Sequence, residues 1–403
     1  QHRNLNPKPL PGNYRMLTEV FRDAGYFVFN GTADDLSEPG KVDVNFVVPP
    51  ESFDGTDWRQ RAVDQPFFGI VQFEETHRDF AGDAVRPIAE DQVTPPPYYP
   101  DHPLARRDWA DYLEDVQILD RKVGLILERL QADGLEDTLV IFFSDHGRPM
   151  PRCKQFLYDG GLHIPLIARW PGRLPEDAVD TRLLSTIDIL PSCITAAGLK
   201  TPTSLDGKPL LFSEGEGRAY VFAARDRCGE AADRIRMVRS RDWKLLRNFH
   251  PTRPYTVFSA YKEIQYPMLH LMRLLYREGS LTPEQANFMK ATRPYEELYN
   301  LAADPHEINN LANEEQLATT RRELSAVLDE WIDETNDAGR IPEDYRKEVQ
   351  WYQKNQDWYE QTLIERHLVG NDNPAVHVEY WTGRQRDQRT PKRDNFSLAA
   401  RVS

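Results

Sequence analysis

The chain has 403 residues, enough for one large domain plus a smaller one, and its 40% hydrophobic and 28% charged residues are ordinary for a globular enzyme. A net charge of −14 argues against a nucleic-acid partner, so attraction for any anionic substrate must come from local basic clusters. No apolar run approaches the roughly 20 residues that a bilayer span needs, and three cysteines make no disulfide framework. In chain order, Tyr14, Leu17, Val20 and Phe21 predict a helix over 13–24 with Gly25 as its cap. Tyr26–Phe29 then reads as a strand, residues 30–60 as a surface excursion, and Pro66–Phe73 as a buried strand running into His77. A helix over about 104–133 shows Trp109, Leu113, Val116, Leu119, Val123, Ile126 and Leu130 on one face, with Gly134 ending it. Strands follow at Thr138–Phe143 and Pro165–Arg169, then a short helix over Thr186–Ala197. This alternation implies a mainly parallel sheet covered by helices. Beyond residue 212 the texture changes: Arg218–Ala224, Arg234–Arg239 and Trp243–Phe249 are closely spaced strands of an antiparallel sheet, and residues 314–336 form an acidic amphipathic helix.

The most informative stretch is residues 138–172. A buried strand ends in Ser144-Asp145-His146-Gly147, and open α/β sheets build their sites at such carboxyl ends. Adjacent Asp145 and His146 offer an oxygen and a nitrogen to one cation. Arg148, Arg152 and Lys154 place three positive charges within seven residues, suited to a tetrahedral oxyanion. A solvated loop with an ordinary charge run is the plain alternative for the Asp-His-Gly tripeptide alone.

The whole run resembles the sulfatase family of the alkaline-phosphatase-like superfamily. There a strand ends in S-D-[HN]-G, followed by a basic residue and Y-x-G-G-x-x-x-P-L-I-x-x-x-P-G. Tyr158, Gly160, Gly161, Pro165, Leu166, Ile167, Pro171 and Gly172 fit that order. A second match is Glu296-Glu297-Leu298-Tyr299-Asn300-Leu301 continuing through Asp304-Pro305-His306-Glu307 to Asn310-Leu311-Ala312. The resemblance implies an α/β fold with a mainly parallel or mixed sheet sandwiched by helices. It adds a smaller carboxyl-terminal α+β domain built on an antiparallel sheet. The expected segments are 1–212 for the catalytic domain, 213–340 for the smaller one, and an aromatic-rich tail over 341–403 packed on the body.

Hydrolysis of a sulfate ester or sulfamate requires a nucleophile, positive charge on the equatorial oxygens and an acid for the leaving group. The resemblance implies a formylglycine nucleophile, a calcium ion held partly by Asp145 and His146, and Lys154 on the sulfate. Calcium prefers oxygen, which makes an imidazole ligand chemically the less expected half. The resemblance also places His77 at the bridging atom or on the sulfate, and Lys41 between nucleophile and sulfate. Asp43 stands where many sulfatases have histidine in G-K-x-H. None of the cysteines begins the C/S-x-P/A-x-R motif that is modified to formylglycine, and the amino-terminal aspartate pair is missing. The chain starts at Gln1 without a methionine or signal peptide, so it reads as a fragment of a longer enzyme or one completed by a separate piece.

Thr76-His77-Arg78 and Arg148-Pro149-Met150-Pro151 resemble heparan N-sulfatase and its bacterial relatives more than other sulfatases, implying sulfated amino sugars or polysaccharide fragments as substrates. Arg225-Asp226-Arg227 and Arg234-x-Arg236 either hold a glycan carboxylate or second sulfate, or form ion pairs on a strand face. A phosphodiesterase or phosphonate monoester hydrolase on the same scaffold, and a glycan-binding pseudo-sulfatase without turnover, stay open. Family expectation for the compartment is periplasmic, secreted or lysosomal, and homo-oligomerisation is left open. Asn30-Gly31-Thr32 and Asn395-Phe396-Ser397 are glycosylation tripeptides, common by chance.

Overall fold

The computed structural model describes residues 7–10, 12, 14–42, 44–203 and 205–387. Strand β1 (Lys8–Pro9), helix α1 (Leu17–Asp23), strand β2 (Phe27–Thr32) and strand β3 (Phe46–Val47) come first, β1 and β3 pairing in parallel. Helix α1 ends before Gly25, whose φ of +86° is costly for a residue with a Cβ. Strand β2 lies parallel to β4 (Phe67–Gln72), with Phe27 opposite Phe67 and Thr32 opposite Gln72. Alternation sorts the faces of β2. Phe27 and Phe29 pack with Trp58 and with Leu130 of helix α2 (Pro103–Ala132), whereas Val28 packs with Phe21 and Ile194. Helix α2 begins where the His102 ring accepts from the Leu104 amide at 3.1 Å and Pro103 takes the first turn.

That helix leads to β5 (Val140–Phe143), then helix α3 (Asp159–Leu162), strand β6 (Leu166–Arg169) and helix α4 (Ile189–Ala196). Strand β6 runs antiparallel to β5, Phe143 opposite Leu166, so this half is mixed rather than uniformly parallel. Among the described residues, neither β4 nor β5 has a hydrogen-bonded neighbour on its second edge. Around these strands Ile70, Phe143, Leu166 and Ile167 are exposed, Ile167 by 62%. Apolar residues of this kind normally lie under a covering layer or beside another strand.

Strands β7 (Val221–Arg225), β8 (Ile235–Arg239) and β9 (Trp243–Asn248) precede helices α5 (Ala260–Gln265), α6 (Pro267–Arg277) and α7 (Pro283–Asn287). Strand β10 (Glu296–Asn300) then completes an antiparallel sheet in the order β10-β9-β8-β7. One face, with Val238, Leu245 and Leu298, packs on Leu324, Leu328 and Ile332 of helix α8 (Ala318–Glu334). The other face sends Ile235, Met237 and Leu246 into the main core beside Trp109, Met150 and Phe156. Trp381 joins the same core, so apolar packing crosses the expected boundaries at 212 and 340. The tail forms helices α9 (Tyr345–Glu365) and α10 (Pro374–Asp387). Phe258 meets Tyr352 and Tyr359 of α9 with ring centroids 5.7 and 5.6 Å apart, while Trp358 stays exposed.

Asn30 is buried inside β2, where its Nδ2 donates to the Gly40 carbonyl at 2.8 Å. That tripeptide is therefore closed to a glycan. The second, at Asn395, lies outside the described residues, as does Asp43.

Candidate active site

The loops after β4 and β5 meet at the carboxyl ends of the two strands. After β5 the chain turns through Ser144–Gly147, with the Ser144 hydroxyl donating to the His146 carbonyl. The Gly147 amide donates to the Gly161 carbonyl at 2.9 Å, and a Cβ at Gly147 would overlap the Gly160 carbonyl oxygen. Glycines at 147, 160 and 161 are thus a packing requirement: the Asp-His-Gly turn lies directly on the Tyr-x-Gly-Gly turn. The His146 Nδ1 lies 2.7 Å from the Gly147 carbonyl oxygen, so Nδ1 carries the proton. Nε2 is left as a lone pair, 3.6 Å from Oδ1 of Asp145, whose side chain is 85% exposed. Burial, and next the charge of Lys154, hold the His146 imidazole below its ordinary range and favour the neutral ring.

Two acceptors face one another across that gap, an arrangement that fits a cation. The fit is partial, because no group of three or more His, Cys, Asp or Glu able to hold a metal forms among the described residues.

The 148–156 loop contains two residues with left-handed backbone, Arg152 (φ +65°) and Gln155 (φ +73°), and the Lys154 amide donates back to the Arg148 carbonyl at 2.9 Å. Such backbone is costly away from glycine and persists where its surroundings impose it. Here Arg152 imposes much of it. Its guanidinium lies 3.8 Å from the Tyr158 ring centroid, and it donates to the carbonyls of His306, at 3.0 Å, and Glu307. The loop carries Lys154 to 5.0 Å from the ring centroid of Tyr261, on α5. On the other side His77, after β4, brings Nε2 to 3.5 Å from the Tyr261 hydroxyl, its ring 5.6 Å away. His77 and Lys154 both depress the His146 imidazole electrostatically. His77, His146 and Lys154 therefore share one rim.

Arg78 locks this arrangement. It forms a buried two-pronged pair with Asp108 of α2 at 2.6 and 2.8 Å, and its Nε donates to the Pro149 carbonyl at 2.9 Å. One side chain thus joins the His77 loop, α2 and the Arg148–Met150 turn.

The remaining expected residues are placed differently. Lys41 stands at the same strand ends, where its carbonyl accepts from the Gln72 side chain, and its own side chain is exposed. Arg148 turns inward, 5.2 Å from the Trp109 ring centroid and 3.3 Å from the Tyr98 hydroxyl. Arg152 clasps the carboxyl-terminal motif as described. Arg227 is buried and holds Glu343 at 2.6 and 3.0 Å and the Gly229 carbonyl at 2.7 Å. These three guanidinium groups fasten segments together instead of facing the rim, because each finds aromatic rings, carbonyls or a carboxylate inside the body. Arg225 is buried beside Phe156 and Asp233. Tyr261 and Arg78 carry no signal in a single sequence beyond the Thr-His-Arg order of the latter. Tyr261 lies 184 residues from His77, in a stretch without a motif.

Residues 4–199 match the family model described as Sulfatase, and residues 152–266 match the model for the carboxyl-terminal region of N-sulphoglucosamine sulphohydrolase. An ulvan-active sulfatase of Formosa agariphila is 31% identical over 377 residues, covering 83% of this chain and 62% of that protein. Homo sapiens N-sulphoglucosamine sulphohydrolase is 28% identical over 323 residues, covering 69% of this chain and 62% of its own length. The chain thus spans about 62% of the length of these curated relatives. In fold, a protein solved in complex with its substrate D-glucosamine-2-N,6-O-disulfate superposes with a TM-score of 0.56 at 15% identity, over 83% of this chain and 85% of that one. The fold is that of the alkaline-phosphatase-like α/β proteins. The chain belongs to the sulfatase family and within it resembles heparan N-sulfatase.

Proposed function

We propose that this chain is the larger part of a sulfohydrolase that cleaves sulfate esters or sulfamates of sulfated amino sugars or polysaccharide fragments. One observation carries the reading: His77, His146 and Lys154 gather at one strand-end rim in a sulfatase-family chain. In this reading Lys154 holds the equatorial sulfate oxygens, where a fixed cation opposes charge that grows in the transition state. His77, with Nδ1 turned to the Arg78 carbonyl at 2.7 Å, presents Nε2 for proton exchange with the bridging atom. Lys41 approaches the same rim and damps developing negative charge. Asp145 and His146 supply two ligands to a divalent cation, calcium by family expectation, whose contribution is to polarise a sulfate oxygen. The nucleophile is a formylglycine carried by polypeptide outside these 403 residues. The open second edges of β4 and β5, with exposed Ile70, Phe143 and Ile167 around them, support a further strand there. Among the described residues no helix is long and apolar enough to cross a membrane, and a periplasmic, secreted or lysosomal enzyme is the compartment we propose.

The test is sulfate release by the full-length protein from N-, 2-O- and 6-O-sulfated sugars, with phosphate esters alongside. Sulfate release is expected, and Lys154→Ala should slow the chemical step by about 100- to 1000-fold. Preferred turnover of phosphate esters would move the protein to a different hydrolase class. Binding without turnover would make it a pseudo-enzyme.

A further inference from the structure

We infer that Arg225 and Lys262, on the inner side of Lys154, form a second anion subsite for another negative group of the same saccharide. The inference rests on the sulfohydrolase reading and adds that the preferred substrate carries at least two anionic groups.

Arg225 ends β7 and is 6% exposed; Lys262 lies on α5, next to Tyr261, and is 7% exposed. Both cations approach one ring: the Arg225 guanidinium carbon lies 4.4 Å and the Lys262 Nζ 4.6 Å from the Phe156 centroid. The neighbouring charges do not balance them. Asp233 gives both carboxylate oxygens to Arg293, one of them at 2.9 Å, and Arg225 Nη1 reaches it only at 3.5 Å. Glu230 is engaged by neutral donors, the Ala260 amide at 2.6 Å and the Asn355 side chain. Arg225 and Lys262 therefore face Asp233 as a nearby carboxylate that is already taken up by Arg293 and by the Arg234 amide, which donates to it at 2.8 Å. Nε and Nη1 of Arg225 are buried without a hydrogen-bond partner.

Beside them the Gln155 amide donates to the Cys228 sulfur at 3.0 Å, while its Oε1 is also buried without a partner. Orphaned donors and an orphaned acceptor stand next to one another, which matches an anionic substituent flanked by a hydroxyl. Buried polar groups are rarely left unsatisfied without a function to serve. Burial, and next the charges of Arg225 and Lys154, pull Lys262 down to about 7, and a bound anion would relieve that repulsion. Because Tyr261 touches His77 and Lys154 while Lys262 follows it on α5, the two subsites are coupled through one helical turn.

The experiment is calorimetric binding to the full-length protein, with turnover measured separately. The probes are glucosamine N-sulfate, glucosamine N,6-O-disulfate and a uronate-linked glucosamine N-sulfate disaccharide. The wild-type protein should bind one or both doubly charged sugars at least about tenfold more tightly than the N-sulfate, the scale of one charged contact. Lys262→Met should abolish that difference and leave the N-sulfate affinity unchanged; Lys262→Arg should restore it. The disulfate and uronate arms identify whether sulfate or carboxylate is held. Equal affinity for all three sugars in the wild type, or a Lys262→Met loss shared equally by the N-sulfate, overturns the subsite. Selective Lys262-dependent binding without turnover retains the subsite and removes the sulfohydrolase reading. Gln155→Ala is a second variant, expected to weaken the doubly charged sugars alone.

Discussion

The antiparallel sheet and the strand pairs of the α/β half are finished to different degrees. The antiparallel sheet of β7–β10 is covered on both faces, by α8 on one side and by the main core on the other. The α/β half is split into the β2–β4 and β5–β6 pairs, and its strands leave Ile70, Phe143, Leu166 and Ile167 exposed. Yet the site residues lie at the strand ends of the split half, locked within it by Arg78 and held from the other half through Arg152 and Tyr261. The lesson is that the covered half acts as the frame: it fixes the loops of the open half through side chains that cross between them.

The largest effect should come from breaking the lock inside the open half. Arg78→Ala leaves the Asp108 carboxylate buried without its partner, an expected loss of about 3–5 kcal/mol. Denaturant unfolding would measure it; a loss under about 1 kcal/mol would show that α2 and the His77 loop are held by other contacts. Next, the comparison itself predicts unequal sensitivity. Leu245→Ala, in the covered sheet, should cost about 2–5 kcal/mol. Ile167→Ala, on exposed β6, should change stability by no more than about 0.5 kcal/mol. Equal costs would mean that β6 is covered in solution. In full-length protein a covered β6 would raise the second value, which makes the pair of variants a probe of what completes the sheet.

A third prediction concerns the tail. His270 on α6 stacks on His377 of α10 with ring centroids 4.3 Å apart, above the Glu263–Arg273 ion pair. Burial pushes the His270 imidazole down to about 4. An unfolded histidine titrates near 6.5, so acidification protonates the unfolded chain first. Stability is then full above about pH 6.5 and falls toward pH 4, by roughly 3 kcal/mol at most. His270→Gln should flatten that slope in thermal melts across the same range, and an unchanged slope would assign the acid sensitivity elsewhere.

Much of this architecture was written locally. The glycines at 147, 160 and 161 announce two turns in contact because side chains would collide there. The stripe on α2 marks a buried face only in part. Trp109 and Leu130 are buried and Ile126 packs beside Leu130, whereas Val116 is exposed and the charged Glu114 and Asp115 are buried by partners that periodicity does not show. The four strand and helix signals after residue 212 likewise correspond to β7, β8, β9 and α8. Less legible was the direction of β6, since a strand's own residues do not state which way its neighbour runs. The three helices between 250 and 295 also went unread, lacking a motif.

Charge was the hardest to read. Arg148, Arg152 and Lys154 look alike as a basic run, yet only Lys154 reaches the rim, because aromatic rings and carbonyls far along the chain draw the two arginines inward. By itself, then, the sequence determined the family, the two sheet regions and the turn that presents Asp145 and His146, all features encoded in near neighbours. Tertiary structure alone decided which cations reach the rim and which fasten segments, and it brought Tyr261 to that rim. The reason is physical: a side chain's role follows from what surrounds it, and for His77 the surrounding Tyr261 lies 184 residues away.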